Sequence, residues 1–119
     1  MQGVMVPQKT ASLGWLVQAV SGLLLIVLLG LHMIANHFVV PGGLQTYQDV
    51  VHYLSNPLIL VLEVMFLIVV TSHALLGVRA VVLDTGLSHK AERTLNTALT
   101  GLGVLVVLYG LWLTFIVIR

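Results

Sequence analysis

Cysteine is absent from the 119 residues, which excludes disulfides and thiolate metal sites. Charge is almost absent too: five Lys/Arg and four Asp/Glu make up 8% of the chain, where a soluble domain carries about a quarter. With 59% hydrophobic residues and a mean hydropathy of +1.10, the chain has too little polar surface to cover a globule in water. A bilayer asks for almost none, so membrane lipid is the expected surrounding. The net charge of +1 and the lack of a dense basic run leave no footprint for nucleic acid. No repeat, low-complexity tract or linker divides the sequence, and residues 1–119 read as a single domain.

What is there is long apolar runs. No Asp, Glu, Lys or Arg occurs between Lys9 and Asp49 or between Arg93 and Arg119, and each gap exceeds the roughly 20 residues that cross a hydrocarbon core. The first run predicts a transmembrane helix over about 14–39, ending before Pro41-Gly42-Gly43; the last predicts one over about 95–118. Between them, Ser55-Asn56-Pro57 opens a helix and Asp84-Thr85-Gly86 closes it, so 57–83 reads as a further span despite Glu63 and Arg79. The fold class is therefore an all-α membrane protein with three spans, up-down-up.

The first span is too long for a signal-peptide core and no small-residue cleavage site follows it, so it is expected to be retained. Lys9, Lys90, Arg93 and Arg79 lie toward one side of the bilayer, and the loop from Pro41 to Asn56 carries only Asp49, which places the N-terminus in the cytoplasm. In that outer loop Tyr47, Val50, Val51 and Leu54 recur at i, i+3, i+4 and i+7, the pattern of a short amphipathic helix over about 44–55 lying along the interface. Along the last span Thr100, Gly103, Val107, Gly110 and Thr114 form a stripe of mainly small residues, suited to close approach of another helix.

Three histidines, His32, His37 and His73, fall inside spans, where an imidazole without a partner is costly. Each is open to two readings, a helix-to-helix hydrogen bond or a functional site. At about 100° per residue, Gly77, Ala80 and Asp84 lie within roughly 60° of His73, so one turn away the helix has no side chain, as a flat macrocycle bound at His73 would require. His32 and His73 are expected at different depths and cannot share one metal; His32 has Asn36 one turn away, whereas His37 lies close to the span's end. Arg79 points away from the His73 stripe and could snorkel toward a propionate, a quinone oxygen or a lipid phosphate, or act as a simple anchor. Asp84 sits at the boundary, positioned to cap the turn or pair with Lys90. Glu63 could hydrogen-bond a histidine of the first span or face water.

The pattern His73-x3-Gly77-x-Arg79-x4-Asp84-x-Gly86, with Ser21-Gly22 early in the first span and a histidine late in it, resembles the cytochrome b membrane-anchor subunits of succinate dehydrogenase, the succinate:quinone oxidoreductases of complex II. The resemblance implies a prokaryotic inner-membrane subunit that packs with a second anchor subunit into a helical bundle and docks an iron-sulfur subunit and a flavoprotein subunit on the cytoplasmic face. It implies haem b, one or two, shared with the partner: His73 falls on the haem-ligand position, His32 is the candidate for a second iron, and His37, Gly77, Arg79 and Ser21 border the cofactor. Quinone, the substrate, is expected near Trp15, Gln18, Arg79 and Asp84. No residue is expected to act on succinate. Ala19 stands where many single-haem relatives have an arginine, a gap that Arg79 or the partner subunit would have to fill. The competing reading is a non-haem structural or assembly subunit, or a small transporter component, whose histidines make helix contacts or transfer protons.

Overall fold

The computed structural model describes residues 11–119, with side chains from Leu13 onward. Among these every regular element is a helix: α1 (Ala11–Ile34), a π-helical turn (Ala35–Val39), α2 (Tyr47–Leu54), α3 (Pro57–Leu83) and α4 (His89–Ile118). Three helices are long and apolar enough to cross a bilayer, α1 with its π turn (Leu13–Val39), α3 and α4. The protein is an all-α, multi-pass membrane protein.

Local chemistry sets each boundary. Beyond the π turn, Gly42 and Gly43 both take positive φ (81° and 80°), a conformation open to glycine, and reverse the chain. Thr46 then caps α2 reciprocally: its hydroxyl accepts the Asp49 N–H (3.2 Å), and the Asp49 carboxylate accepts the Thr46 N–H (2.8 Å). This cap starts α2 at Tyr47, later than the expected 44. Asn56 caps α3, accepting the Leu58 N–H at 2.9 Å, and Pro57 occupies the first turn, where its missing N–H costs nothing. Gly86, at φ 79°, closes α3. α4 begins at His89 rather than near 95, because Ser88 accepts the Ala91 N–H (3.3 Å) and draws Lys90, Glu92 and Arg93 into the first turns. The apolar run marks only the part of α4 suited to lipid.

α3 packs against α1 on one side and α4 on the other, while α2 lies across α3 and α4. The small stripe of α4 faces α3: a methyl added at Gly103 would lie 2.7 Å from a Leu75 methyl, and one at Gly110 would lie 2.6 Å from Leu67. Among the described residues a small apolar cluster forms at the α2 end, around Ala35, Tyr53 and Ile59, and Leu28 is buried separately in α1. Tyr53 anchors α2 (5% exposed), whereas Tyr47, from the predicted apolar face, points outward at 62%. Most other large apolar side chains are exposed, as lipid permits and water would not.

Candidate functional site

His73 projects from α3 onto α1. Its Nδ1 lies 2.9 Å from Ser21 Oγ, and Ser21 donates its own hydroxyl hydrogen to the Gln18 carbonyl at 3.0 Å. The single hydroxyl hydrogen of Ser21 can lie on either acceptor; with it on the Gln18 carbonyl, Ser21 accepts from His73 and the imidazole carries its proton on Nδ1. Nε2 is then the basic nitrogen. It has no partner among the described residues and is not enclosed by them, since the one buried polar side-chain atom without a partner is Gln18 Oε1.

The surrounding glycines fit the two helices together. A methyl on Gly22 would sit 3.2 Å from His73 Cε1, so glycine is what lets the ring lie against α1. Gly77 has another neighbour: Gln18, whose amide nitrogen would be 3.3 Å from an added methyl and donates to the His73 carbonyl (3.3 Å). The space expected beside Gly77 for a macrocycle edge therefore holds the Gln18 amide. Ser21, Gly22, Gln18, His73 and Gly77 form one cluster across the α1–α3 seam.

A second cluster lies toward the α2 end, eleven residues or ~16 Å further along α1. His32 Nδ1 is 2.9 and 2.8 Å from the two Glu63 oxygens, and Glu63 also accepts the Tyr53 hydroxyl. Asn36 lies 3.2 Å from His32 Nδ1 and donates to the His32 carbonyl (2.7 Å) and Tyr53 (3.3 Å); carboxylate oxygens only accept, so Nδ1 donates to Glu63. Phe66 stacks on the ring at 4.8 Å. Burial first, then the hydrogen bond and charge of Glu63, push the Tyr53 hydroxyl well above its usual pKa of 10.0. The sequence listed Glu63 as a possible histidine partner but gave no sign of Tyr53, whose role depends on how α2 folds back. His32, Asn36, Tyr53 and Glu63 border a cavity of about 410 Å³. His37 is exposed in the π turn, outside this cluster.

The remaining expected residues are dispersed. Arg79 turns to α4, donating Nε to Asn96 (2.6 Å) and Nη2 to Glu92 (3.3 Å), away from the His73 cluster. Trp15 is 70% exposed. Asp84 is exposed at the α3 C-cap, where its backbone N–H bonds the Ala80 carbonyl, and forms no ion pair with Lys90 among the described residues. Trp15, Gln18, Arg79 and Asp84 thus do not converge on one pocket within this chain. Nor does any group of three or more His, Asp or Glu side chains suited to a bare metal ion occur among the described residues.

Comparison with known proteins gives a consistent result. The family model described as "Succinate dehydrogenase/Fumarate reductase transmembrane subunit" matches residues 3–111. The chain is 33% identical over 111 residues to a succinate dehydrogenase hydrophobic membrane anchor subunit of Thermoplasma acidophilum, covering 93% of this chain and 90% of that one. It is 33% identical over 103 residues to the protein of the same name from Archaeoglobus fulgidus, covering 87% of each. No solved structure matches the chain.

Proposed function

The chain belongs to the succinate dehydrogenase/fumarate reductase transmembrane-subunit family, and from that premise we propose that it is a haem b-binding anchor of a succinate:quinone oxidoreductase. It pairs with a second anchor subunit, seats the iron-sulfur and flavoprotein subunits at the α3–α4 turn on the cytoplasmic side of a prokaryotic membrane, and supplies part of the quinone site. It does no chemistry on succinate.

One observation carries the haem assignment: His73 Nδ1 lies 2.9 Å from Ser21 Oγ, an acceptor that would hold its proton and leave Nε2 for the iron, and the ring packs against Gly22. A histidine that ligates metal almost always donates its other N–H to a fixed acceptor, which sets tautomer and orientation. His73 would therefore hold the iron, and the partner subunit would complete the site. When bound, haem supplies a one-electron store between the iron-sulfur subunit and quinone. Ser21 orients the imidazole, and Gln18 ties α1 to the His73 carbonyl. His32 has the same form, with Glu63 as acceptor, and would hold a second haem. For quinone, this chain contributes the Trp15 and Gln18 side of α1, and the other subunits complete the pocket.

A dithionite-reduced minus oxidised spectrum of the purified complex tests this reading. Bis-imidazole haem gives sharp alpha and Soret bands. A complex that assembles with neither band returns the chain to a non-haem anchor whose histidines only join helices.

A further inference from the structure

On the α1–α3 seam one side chain stands where a macrocycle beside His73 needs room. Gln18 reaches from α1 across Gly77: a methyl added at Gly77 would lie 3.3 Å from its amide nitrogen, which donates to the His73 carbonyl at 3.3 Å. That separation lies beyond the about 2.7–3.2 Å usual for an N–H···O bond. The carbonyl it reaches sits within α3, where the N–H four residues on already supplies a helical donor. The other end of the amide fares worse, since Gln18 Oε1 is buried and has no donor among the described residues. A buried acceptor left unpaired costs more than a typical hydrogen bond returns. The amide is therefore weakly held in this place.

Its neighbours cannot yield instead. Gly22 and Gly77 have no side chains, and the His73 ring is wedged between Ser21 Oγ and Gly22, where an added methyl would lie 3.2 Å from Cε1. Gln18 has a long, freely rotating side chain and is only half-buried, so it alone can leave. Resting on the haem reading, we propose that Gln18 is a displaceable plug. Before haem b enters, its amide fills the space beside Gly77 and ties α1 to α3; on entry, Gln18 swings off the His73 carbonyl and carries Oε1 out of its unpaired burial. The Ser21 contact with the Gln18 backbone carbonyl does not involve the amide, so the swing leaves Ser21 beside the imidazole. The plug keeps the seam closed in the haem-free chain. It also lowers haem affinity, because only the fraction of chains with Gln18 turned away is ready to bind.

Haem partition at equilibrium between the purified complex and a graded excess of apomyoglobin tests this. Gln18→Ala removes the amide while leaving Ser21 and His73 in place. The variant should hold haem about three- to tenfold more tightly than the unsubstituted complex, the advantage of no longer breaking one hydrogen bond on loading. A side chain that only ties the helices gives the opposite sign, since its loss loosens the seam around His73. Weaker or unchanged retention in Gln18→Ala therefore overturns the proposal. Should that variant fail to assemble, Gln18→Asn is read in the same way, because its amide is one carbon too short to reach the His73 carbonyl. Absence of haem bands from the unsubstituted complex removes the haem reading and the plug together. Bands in the unsubstituted complex with no gain in the variant overturn the plug alone.

Discussion

The His73 ring is oriented by a serine 52 positions away in sequence, whose hydroxyl lies between Nδ1 and the Gln18 carbonyl. Ser21→Ala removes the acceptor and should weaken haem retention about 10–100-fold, as loss of a second partner to a ligating histidine does. Ser21→Thr keeps a hydroxyl and should retain haem. Iron content and the alpha-band absorbance of both variants check this. In the other cluster, Glu63→Leu leaves His32 and Tyr53 without their shared acceptor and should destabilise the α2 end by about 1–3 kcal/mol, measured as thermal inactivation of the assembled complex. At this scale the sequence was partly legible. It singled out His73, Ser21 and His32 because ionisable and polar groups stand out in an apolar run. It could place Gly77 and Arg79 on faces of α3, but helical angles do not say which neighbour meets each face. The structure puts Gln18 against Gly77 and Asn96 against Arg79.

Helix ends obey rules of caps, and helix faces obey rules of size. Hydropathy located the spans because lipid demands continuous apolar surface, but it could not see α4 begin at His89, since Ser88 caps a polar first turn outside the apolar run. The α2 cap has a direct pH consequence. The Thr46 hydroxyl and then the Thr46 and Gln45 backbone N–H groups hold the Asp49 carboxyl below its ordinary value of 3.8. The folded value is depressed, so the cap is at full strength above the usual carboxylate range and is lost as pH falls through the folded value. Amide exchange in α2 should quicken over that acid window, and Asp49→Asn should flatten the response. On α4, Gly110→Ala should harm assembly more than Gly103→Ala. The new methyl at 110 meets three Leu67 atoms, including Cγ at 3.5 Å, whereas at 103 it meets only the mobile tip of Leu75. The overpacking cost is about 1–3 kcal/mol at the worse site, read as the yield of intact complex.

As a whole the molecule is a thin bundle with almost no interior. Among the described residues only Leu28, Ala35, Tyr53 and Ile59 are buried, and the long faces of α1 and α4 are apolar and uncovered. Lipid and a second anchor can cover such faces, which accords with a family of transmembrane subunits rather than with a self-sufficient enzyme. The two histidine clusters lie on one α1–α3 seam, His73 opposite Ser21 and His32 opposite Glu63. The count from sequence had already put them at different depths; the acceptors that fix their rings emerged only once α1 and α3 were laid side by side. The most direct measurement is haem iron per anchor pair in the purified complex, with and without His73→Ala. One or two irons are expected before the substitution and one fewer after it, with the subunits still assembled. Iron content unchanged by the loss of this imidazole would contradict the account.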